Sequence, residues 1–183
     1  MAFRGFISVD LPDIESMTAF AEELWRTGAA VKPVDVSQVH FTLKFLGDTE
    51  EALVPRILDV MRHSVTGIPS FTIRLVGTGA FPNLRRMNVI WVGTEGAEPL
   101  VEIARRLEAA LEPLGYPRER REFSAHVTVA RVKGPRSLDD VRRVIEARAR
   151  DVFGEVRVDR LRLKKSVLGA QGPTYSTVAE VSL

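Results

Sequence analysis

The hydrophobic pattern of the first part of the chain alternates between the periods of strands and helices. A short apolar run over residues 4–10 predicts a strand, and residues 13–27 then place apolar side chains at helical spacing. That apolar face consists of Ile14, Met17, Phe20, Ala21 and Leu24. Residues 40–46 predict a second strand, followed by a helix that Asp48 or Thr49 would cap.

The same order of elements returns later in the chain. Further strands are predicted over residues 71–79, 87–92, 126–132, 156–167 and 175–183. Between the second and third of these lies a helix with the apolar face Leu100, Ala104, Leu107 and Leu111. Ser137 and Asp140 have the spacing of a capping box, which predicts another helix after the third.

This order implies two similar lobes. Units of roughly 1–80 and 86–183 each contain a strand, a helix and then a strand that carries a histidine. The glycine-containing segments 77–83 and 93–96 are the expected joints between the lobes. A chain of 183 residues can bury a sizeable core, and we expect a single bilobal domain over residues 1–183.

The amino-acid composition excludes several classes of function. The chain has no cysteine, which excludes disulfides, thiolate metal sites and thiol nucleophiles, and which fits a reducing cytoplasm. No apolar run approaches the length of a membrane span, so we expect a cytoplasmic protein without a membrane partner. Only five of the 26 basic residues are lysines. Arginine suits phosphate recognition, but an ion-paired surface produces the same bias.

Two segments share the pattern His-apolar-Thr-apolar, one beginning at His40 and the other at His126. Because side chains alternate along a strand, each histidine should share a face with the following threonine, Thr42 or Thr128. One such histidine alone is usually a half-buried residue satisfied by its neighbours. Its repetition in equivalent strands favours a function. His63, the third histidine, lies near a helix end and is interpreted as structural or exposed.

Two imidazoles and two hydroxyls suit the chemistry of a phosphate ester. One imidazole can remove a proton from water while the other protonates the leaving oxygen. Threonine hydroxyls can donate to the non-bridging oxygens, where charge develops. A metal site would need a further ligand beside the histidines, and none is visible near either motif. We therefore expect no metal and no other cofactor.

Several further segments resemble the RNA 2′,3′-cyclic phosphodiesterase (2′-5′ RNA ligase) family of the two-histidine phosphoesterase superfamily. They are residues 3–7, 40–47, 81–86, 89–93, 123–131 and 172–175, which together span nearly the whole chain. The sequence departs from the family at Ala125, where proline is common, and at Val129, where leucine is common. Both changes are conservative for a strand.

The resemblance implies an α+β bilobal two-histidine phosphoesterase fold. Its two pseudo-symmetric lobes each have an antiparallel sheet flanked by helices, and the active site lies in the cleft between them. It also implies a metal-independent hydrolase that opens RNA 2′,3′-cyclic phosphate ends to 2′-phosphates, with 2′-5′ RNA ligation as the reverse reaction. By the same resemblance, His126 is the general base, His40 is the general acid, and Thr42, Thr128 and Arg131 bind the phosphate.

The positions of four basic residues within strands affect their interpretation. Arg131 lies five residues after His126, so it points away from the cleft unless a bulge or strand end turns it round. An exposed ion pair is the other interpretation of Arg131. Lys44 shares the alternation of His40, which allows either a place in the cleft or a solvated one. Lys164 and its neighbour Lys165 are interpreted as a solvated strand edge.

A second group of residues consists of candidates for contact with RNA. Arg85 and Arg86 occupy a turn-rich loop and can contact phosphates. Among the aromatic residues that can stack on a base, Tyr175 is favoured because Gly172-Pro173 places it at the entry to a strand. Phe45 and Trp91 are expected to pack in the core instead.

The expected partner is RNA with a 2′,3′-cyclic phosphate end, with tRNA fragments among the candidate substrates and the protein acting as a monomer. Two other functions stay open. One is a non-catalytic module that binds RNA ends, and the other is a phosphodiesterase acting on small cyclic nucleotides. Turnover in EDTA separates the first from an enzyme, and rates on an oligomer and a mononucleotide separate the second.

Overall fold

Nine strands and four α-helices make up the regular structure in a computed structural model that describes residues 1–169 and 172–183. The strands are β1 (Ala2–Asp10), β2 (Val31–Pro33), β3 (His40–Glu50), β4 (Phe71–Asn83), β5 (Arg86–Glu95), β6 (Val127–Val132), β7 (Val152–Val158), β8 (Arg160–Gly169) and β9 (Gly172–Ser182). The helices are α1 (Glu15–Arg26), α2 (Val54–Val65), α3 (Glu98–Leu111) and α4 (Leu138–Ala147). Short 3₁₀ turns occupy Val36–Gln38, Glu51–Leu53 and Glu112–Leu114.

The strands form two separate antiparallel sheets. The order is β3-β1-β8-β9 in the first sheet and β2-β6-β5-β4-β7 in the second. Helices α2 and α3 pack on the first sheet, whereas α1 and α4 pack on the second. We call the first sheet with its helices the first lobe, and the second sheet with its helices the second lobe. This arrangement confirms the predicted α+β class with two helix-flanked antiparallel sheets.

The lobes do not coincide with the two sequence units, because each lobe takes elements from both. Strands β8 and β9 come from the end of the chain and join β1 and β3, while β4, from the first unit, lies at the centre of the second sheet. The expected joint at residues 77–83 is wrong, since these residues lie inside β4. Of the expected joint at residues 93–96, the first three residues lie at the end of β5, and Gly96 begins the short connection from β5 of the second lobe to α3 of the first.

The predicted apolar faces are the ones that the fold buries. In α1, Met17, Phe20, Ala21 and Leu24 are buried. In α3, the buried residues are Leu100, Ile103, Ala104, Leu107 and Leu111. Removing these side chains from water is the main stabilising contribution to both lobes. No helix in the described part of the chain is long and apolar enough to span a membrane.

Both predicted helix caps are wrong in detail. Asp48 and Thr49 do not begin a helix, because β3 continues through Glu50 and α2 begins at Val54 after a 3₁₀ turn. Ser137 does occupy the N-cap position of α4. However, its backbone is left-handed, with φ of 55°, and its side chain makes no capping hydrogen bond. Asp140 lies in the first turn of α4, where its charge suits the helix dipole.

Two strand predictions also differ from the structure. The predicted strand over residues 156–167 is two strands, β7 and β8, which belong to different sheets. Strand β2 was not predicted from the sequence, because it has only three residues, the last of which is Pro33. Proline lacks the N–H of a full strand pairing, and at the edge of the second sheet this lack is tolerated.

Candidate active site

The two histidine motifs lie where the lobes meet. His40 is the first residue of β3, at an edge of the first sheet, and His126 directly precedes β6 of the second sheet. Strands β3 and β6 contact each other across the lobes. Each lobe therefore contributes one motif to a shared region.

The two imidazole rings are held in the same way. His40 Nδ1 lies 2.8 Å from the carbonyl oxygen of Gln38, and His126 Nδ1 lies 2.7 Å from that of Ser124. A carbonyl oxygen only accepts, so Nδ1 carries the proton in both rings. Neither Nε2 atom has a hydrogen-bond partner among the residues that the structure describes. Each neutral ring therefore presents a basic Nε2.

Burial lowers the pKa of both histidines. For His40, the loss of hydration is the largest cause, and the positive charges of Lys164 and Arg131 lower the pKa further. The bond to Gln38 and the charge of Asp10 oppose this. For His126, burial again is the largest cause and the bond to Ser124 opposes it. A lower pKa favours the neutral ring, whose Nε2 can accept a proton, and makes the protonated ring a stronger acid, so that either ring can serve as base or as acid.

A β-bulge follows the threonine of each motif. In the β1–β3 pairing, Ser8 lies opposite Thr42 but Ile7 lies opposite Lys44, so one extra residue is inserted in β3. In the β5–β6 pairing, Trp91 lies opposite Thr128 but Ile90 lies opposite Ala130. An extra residue reverses the alternation of the side chains that follow it. The two motifs thus share a backbone irregularity as well as a sequence pattern.

The bulge in β6 decides the orientation of Arg131. Ala130 is buried and Arg131 is exposed, on the side of the strand that carries Thr128. The charge of Arg131 contributes to lowering the pKa of His40, which places this arginine near the histidine of the opposite lobe. Arg131 has no ion-pair partner among the described residues. The interpretation of Arg131 as a surface ion pair therefore has no support in the structure.

The bulge in β3 has the opposite consequence for Lys44. Its side chain turns to the helical face of the sheet and is only 3% exposed. Lys44 Nζ donates to Glu108 Oε2 at 2.8 Å and to the carbonyl oxygen of Pro117 at 2.6 Å. Glu108 Oε2 also accepts from the backbone N–H of Glu119. Both predicted places for Lys44, the cleft and the solvent, are wrong because alternation fails at the bulge.

The next residue after Lys44 is the one that reaches the cleft side. Phe45 is 65% exposed, which contradicts the expectation that it packs in the core. It lies opposite Phe6 in the β1–β3 pairing, with ring centroids 6.4 Å apart. Phe45 occupies the place in β3 that Arg131 occupies in β6, five residues after its histidine. The two sides of the cleft are therefore alike in backbone and different in chemistry.

Aromatic rings surround both imidazoles. The ring of Tyr175 meets His40 edge-on at 5.3 Å, and Phe6 lies 5.0 Å from His40. Phe81 meets His126 in the same edge-on manner at 4.8 Å. These contacts restrict the rotation of each ring and exclude water from one of its sides. Tyr175 is thus half-buried beside His40.

A buried charge network lies on the His40 side. Lys164 Nζ contacts both carboxylate oxygens of Asp10, at 2.9 and 2.8 Å, and Arg162 pairs with the same carboxylate at 3.2 Å. Asp10 lies directly opposite His40 in the β1–β3 pairing. Lys164 is 6% exposed, so its prediction as a solvated edge residue is wrong. Lys165, the other member of that pair, is half-buried.

A cavity of about 870 Å³ adjoins His126. We call it the His126 cavity; its lining includes Phe81, Trp91, Glu98, Val101, Glu122 and His126. A side chain at Gly79 would collide with the ring of Trp91, so this glycine is what lets the indole lie against the sheet. Phe81 and Trp91 lie 5.5 Å apart. Trp91 is half-buried, as it lines the cavity rather than filling the core.

The remaining candidates lie further from the histidines. Arg85 and Arg86 are exposed at the tip of the β4–β5 hairpin, where the side-chain oxygen of Asn83 accepts from both backbone N–H groups. Arg85 also lines a second cavity, of about 590 Å³, together with Trp91. His63 is exposed on α2 and its Nδ1 donates to the carbonyl oxygen of Asp59. Within residues 1–169 and 172–183, no cluster of three metal-ligating side chains is present.

Sequence reasoning missed the network around Asp10 and the ring contacts of Phe6. One signal was available for the network: Ser8 and Asp10 are polar residues at period two in an otherwise apolar strand. This is the pattern of the His-x-Thr motifs themselves. The contact of Phe6 with His40 gave no comparable signal, because a phenylalanine in an apolar run is typical of any buried strand.

The fold and the site define a class of protein. Two helix-flanked antiparallel sheets, each bringing a His-x-Thr strand to their junction, make this protein a two-histidine phosphoesterase. The sequence model of the 2′-5′ RNA ligase superfamily matches residues 13–169. The chain belongs to this superfamily, which confirms the resemblance seen in its sequence.

Individual relatives agree with this assignment. The RNA 2′,3′-cyclic phosphodiesterase of Methanothermobacter thermautotrophicus is 36% identical over 96% of both chains. The protein of the same name from Aquifex aeolicus is 35% identical, over 100% of this chain and 96% of its own. Among solved structures, a protein of Thermus thermophilus superposes with a TM-score of 0.78 at 31% identity, covering 98% of this chain and 97% of its own.

A more distant structure shares the fold. Escherichia coli LigT in complex with 3′-AMP superposes with a TM-score of 0.74 at 22% identity, over 100% of this chain and 99% of its own. At this level of identity, the similarity establishes the two-lobed architecture alone.

Proposed function

We propose that this protein hydrolyses RNA 2′,3′-cyclic phosphate ends to 2′-phosphate ends. The observation that carries the proposal is the pair of matched motifs. Each has an imidazole whose Nδ1–H is bound to the backbone, an Nε2 without a partner among the described residues, and a same-side threonine. The curated relatives named RNA 2′,3′-cyclic phosphodiesterase support the choice of substrate.

The proposed reaction needs one proton removed and one delivered. His126 Nε2 takes a proton from water as its oxygen attacks phosphorus. The bond from phosphorus to O3′ breaks, and His40, protonated at Nε2, gives its proton to the departing oxygen. The product is a 2′-phosphate with a free 3′-hydroxyl group. The assignment of acid and base follows the family resemblance, and the reverse 2′-5′ joining reaction exchanges the two roles.

Three further residues would hold the phosphate. The hydroxyl groups of Thr42 and Thr128 make no hydrogen bond to other described residues, which leaves both available to donate to non-bridging oxygens. Arg131 can approach the same group because the bulge in β6 turns it to the side of Thr128. A guanidinium can bind two phosphate oxygens at once. These donors act in a partly dehydrated cleft, where charge stabilisation is stronger than in water.

The RNA chain would continue over more exposed residues. Arg85 and Arg86 are exposed at the hairpin tip and suit backbone phosphates, and Tyr175 lies beside His40, where the terminal nucleotide must sit. We propose that the protein acts as a monomer in the cytoplasm, with tRNA fragments among its substrates. The absence of cysteine is compatible with that compartment.

The central test uses an RNA oligomer that ends in a 2′,3′-cyclic phosphate, with EDTA in the buffer. The wild-type protein should open the ring to a 2′-phosphate, resolved by gel or mass spectrometry. His40→Ala and His126→Ala should each lower kcat/KM by about 10²- to 10⁴-fold, the usual contribution of a general acid or base. His63→Ala, at an exposed histidine of α2, is the matched control and should keep wild-type activity.

Two results would contradict the proposal. An intact cyclic phosphate end after incubation with wild-type protein would leave a module that binds RNA ends without turnover. Equal or faster hydrolysis of a nucleoside 2′,3′-cyclic monophosphate than of the oligomer would assign the enzyme to small cyclic nucleotides. Loss of activity in both histidine variants, with unchanged circular dichroism, would support acid–base catalysis.

A further inference from the structure

Asp10 and Lys164 form an ion pair on the face of the first sheet that carries the His40 ring. Phe6, Ser8 and Asp10 alternate along β1, and the β1–β8 pairing places Lys164 directly opposite Phe6. Alternation therefore puts both members of the pair on the side where the ring of Phe6 contacts His40. The pair belongs to the wall of the cleft and not to the face of the sheet that the helices cover.

Three groups donate to the Asp10 carboxylate. Lys164 Nζ lies 2.9 and 2.8 Å from its two oxygens, Arg162 pairs with it at 3.2 Å, and Ser8 Oγ donates to it at 3.3 Å. Lys164 is 6% exposed and Ser8 is fully buried. A buried ion pair contributes little net stability, because the loss of hydration offsets the attraction between its charges. Stability is therefore a weak reason for placing these charges beside His40.

The two charges of the pair act on His40 in opposite directions. Burial is the largest cause of the lowered pKa of His40; the charge of Lys164 lowers this pKa further, and the charge of Asp10 raises it. Asp10 lies directly opposite His40 in the β1–β3 pairing. At His126, burial lowers the pKa without a contribution from a charged residue in the described part of the chain. The ion pair thus acts on one of the two histidines.

Two other titratable or charged groups face the His40 ring from neighbouring elements. Tyr175 of β9 meets the ring edge-on, and the charge of Arg131, on β6 of the opposite lobe, lowers its pKa. Lys44, on the same strand as His40, is buried on the other face of the sheet. Substitutions in the ion pair leave all three of these residues unchanged, so their effects on His40 can be assigned to the pair.

We propose that Asp10 and Lys164 are positioning residues that act on catalysis through His40. The carboxylate stabilises the protonated imidazole, and the ammonium group limits that stabilisation. The inference rests on the proposed function, because it takes His40 as a proton-transfer group. A carboxylate without its cation would make the ring retain the proton that the departing oxygen needs. A cation without its carboxylate would keep the ring from binding that proton at all.

The direct measurement is a pH titration of the imidazole C–H signals by NMR. The chain has only three histidines, so His→Asn variants assign each signal. Lys164→Met should raise the proton affinity of His40 by about threefold or more, and Asp10→Asn should lower it by as much, because each removes one of two opposed charges. The signal of His126 should titrate as in the wild type in both variants, which makes it an internal reference.

The corresponding readout in catalysis is the dependence of kcat/KM on pH, measured with the cyclic-phosphate oligomer. As the general acid, His40 must be protonated, so activity is lost as the pH rises through its pKa. This loss should move to higher pH in Lys164→Met and to lower pH in Asp10→Asn. A purely structural role would reduce activity at every pH and leave the position of the loss unchanged.

Three further variants control for charge and for folding. Lys164→Arg keeps the positive charge and should retain the wild-type titration of His40. Lys165→Met, at the next residue and on the other side of β8, should also leave it unchanged. The double variant Asp10→Asn/Lys164→Met should titrate close to the wild type, since both opposed charges are gone and Arg162 keeps Glu180 as a partner. It also carries the test if Asp10→Asn alone fails to fold around an unpaired lysine.

Three results would overturn the proposal. They are an unchanged titration of His40 in folded Lys164→Met, an equal change at His126, and a pH profile of kcat/KM that stays in place although His40 titrates differently. Failure of the wild-type protein to hydrolyse the oligomer is a separate result. It contradicts the proposed function, while the NMR titrations still decide whether the pair acts on His40.

Discussion

Each histidine is oriented by one hydrogen bond to the backbone of its own segment, at Gln38 O or Ser124 O. Because the acceptor is a carbonyl, it fixes the tautomer as well as the ring plane, and Nε2 is the atom left for proton transfer. Only His40 has charged groups among the causes of its lowered pKa, with Lys164 and Arg131 lowering it and Asp10 raising it. The two rings thus share a geometry but not an electrostatic environment.

The lowered histidine pKa values predict a loss of stability in acid. Folding holds the pKa of His40 and His126 below the ordinary value of 6.5, so below that pH the unfolded chain binds protons that the folded chain does not. This contribution to the free energy of unfolding is present above the unfolded pKa and is lost as the pH falls through the folded values. Urea unfolding at a series of pH values measures it.

The matched comparison for this prediction is the double variant His40→Asn/His126→Asn. It should lose less stability than the wild type when the pH falls below the ordinary histidine pKa, because neither replaced group can titrate. An identical dependence of stability on pH in the two proteins would show that these histidines do not contribute.

Arg131 has a predicted catalytic effect that depends on its planar donor group. Arg131→Ala should lower kcat/KM on the cyclic-phosphate oligomer by about 10- to 100-fold, the equivalent of one charged hydrogen-bonding interaction. Arg131→Lys should restore only part of this, since an ammonium group cannot bind two oxygens in a fork. Arg136→Ala, at an exposed arginine outside β6, is the control. Wild-type activity in Arg131→Ala would remove this residue from the site.

At the scale of elements, the bulges after Thr42 and Thr128 organise both halves of the site. They keep His and Thr on one side and then reverse the alternation, so that Arg131 is exposed beside Thr128 while Lys44 is buried. The reversal also exposes Phe45 in β3 at the place equivalent to Arg131. The same kind of bulge therefore exposes a basic residue, Arg131, on one side of the cleft and an aromatic residue, Phe45, on the other.

The burial of Lys44 links the two histidine strands. Lys44 connects β3 to α3 through its bond to Glu108. Its bond to the carbonyl oxygen of Pro117 connects β3 to the segment that leads from α3 towards His126. The carboxylate of Glu108 is only 18% exposed and also receives the N–H of Glu119. The position of the second motif thus depends in part on a side chain next to the first.

Removal of this lysine should therefore destabilise the protein. We expect Lys44→Met to lower the free energy of unfolding by about 3 kcal/mol, because it leaves Glu108 without its partner in a poorly hydrated place. Lys165→Met, at a half-buried lysine of β8 that forms no ion pair with the described residues, should cost much less. The double variant Lys44→Met/Glu108→Leu should recover part of the loss. Equal costs for the two lysines, measured by urea unfolding, would contradict this role.

At the scale of the whole molecule, the lobes are interleaved. The chain passes between them repeatedly: β1 lies in the first lobe, α1 and β2 in the second, β3 and α2 in the first, and β4 in the second. The first sheet is completed only by β8 and β9, near the end of the chain. Neither lobe consists of a continuous segment that contains all of its own strands.

Interleaving predicts that the two lobes unfold together. Urea unfolding followed by circular dichroism and by tryptophan fluorescence should give coincident single transitions, because neither lobe can close its sheet without the other half of the chain. A fragment of residues 1–96, which lacks β6 to β9, should stay unfolded. Two separated transitions, or a folded fragment, would show that the lobes are independent.

The predictions from sequence succeeded where local pattern decides the outcome. The apolar faces of α1 and α3 and the strands that carry His40 and His126 follow from periods of 3.6 and 2. The predictions from sequence failed where an inserted residue breaks the alternation of side chains along a strand. Alternation alone placed Lys44 in the cleft or in solvent and left Arg131 dependent on a bulge, and hydrophobicity alone placed Phe45 in the core. The backbone hydrogen bonds of neighbouring strands determine each of these positions.

The sequence by itself determined the class of fold, the two His-x-Thr motifs and the family to which the chain belongs, because these depend on residue types at short spacings. Only the tertiary structure decided which strands share a sheet, which way Arg131 and Lys44 point, and that the charge network around Asp10 adjoins His40. These features arise from contacts between segments that are far apart in the chain. No local pattern encodes them, because the pairing register and the packing of distant elements exist only in the folded state.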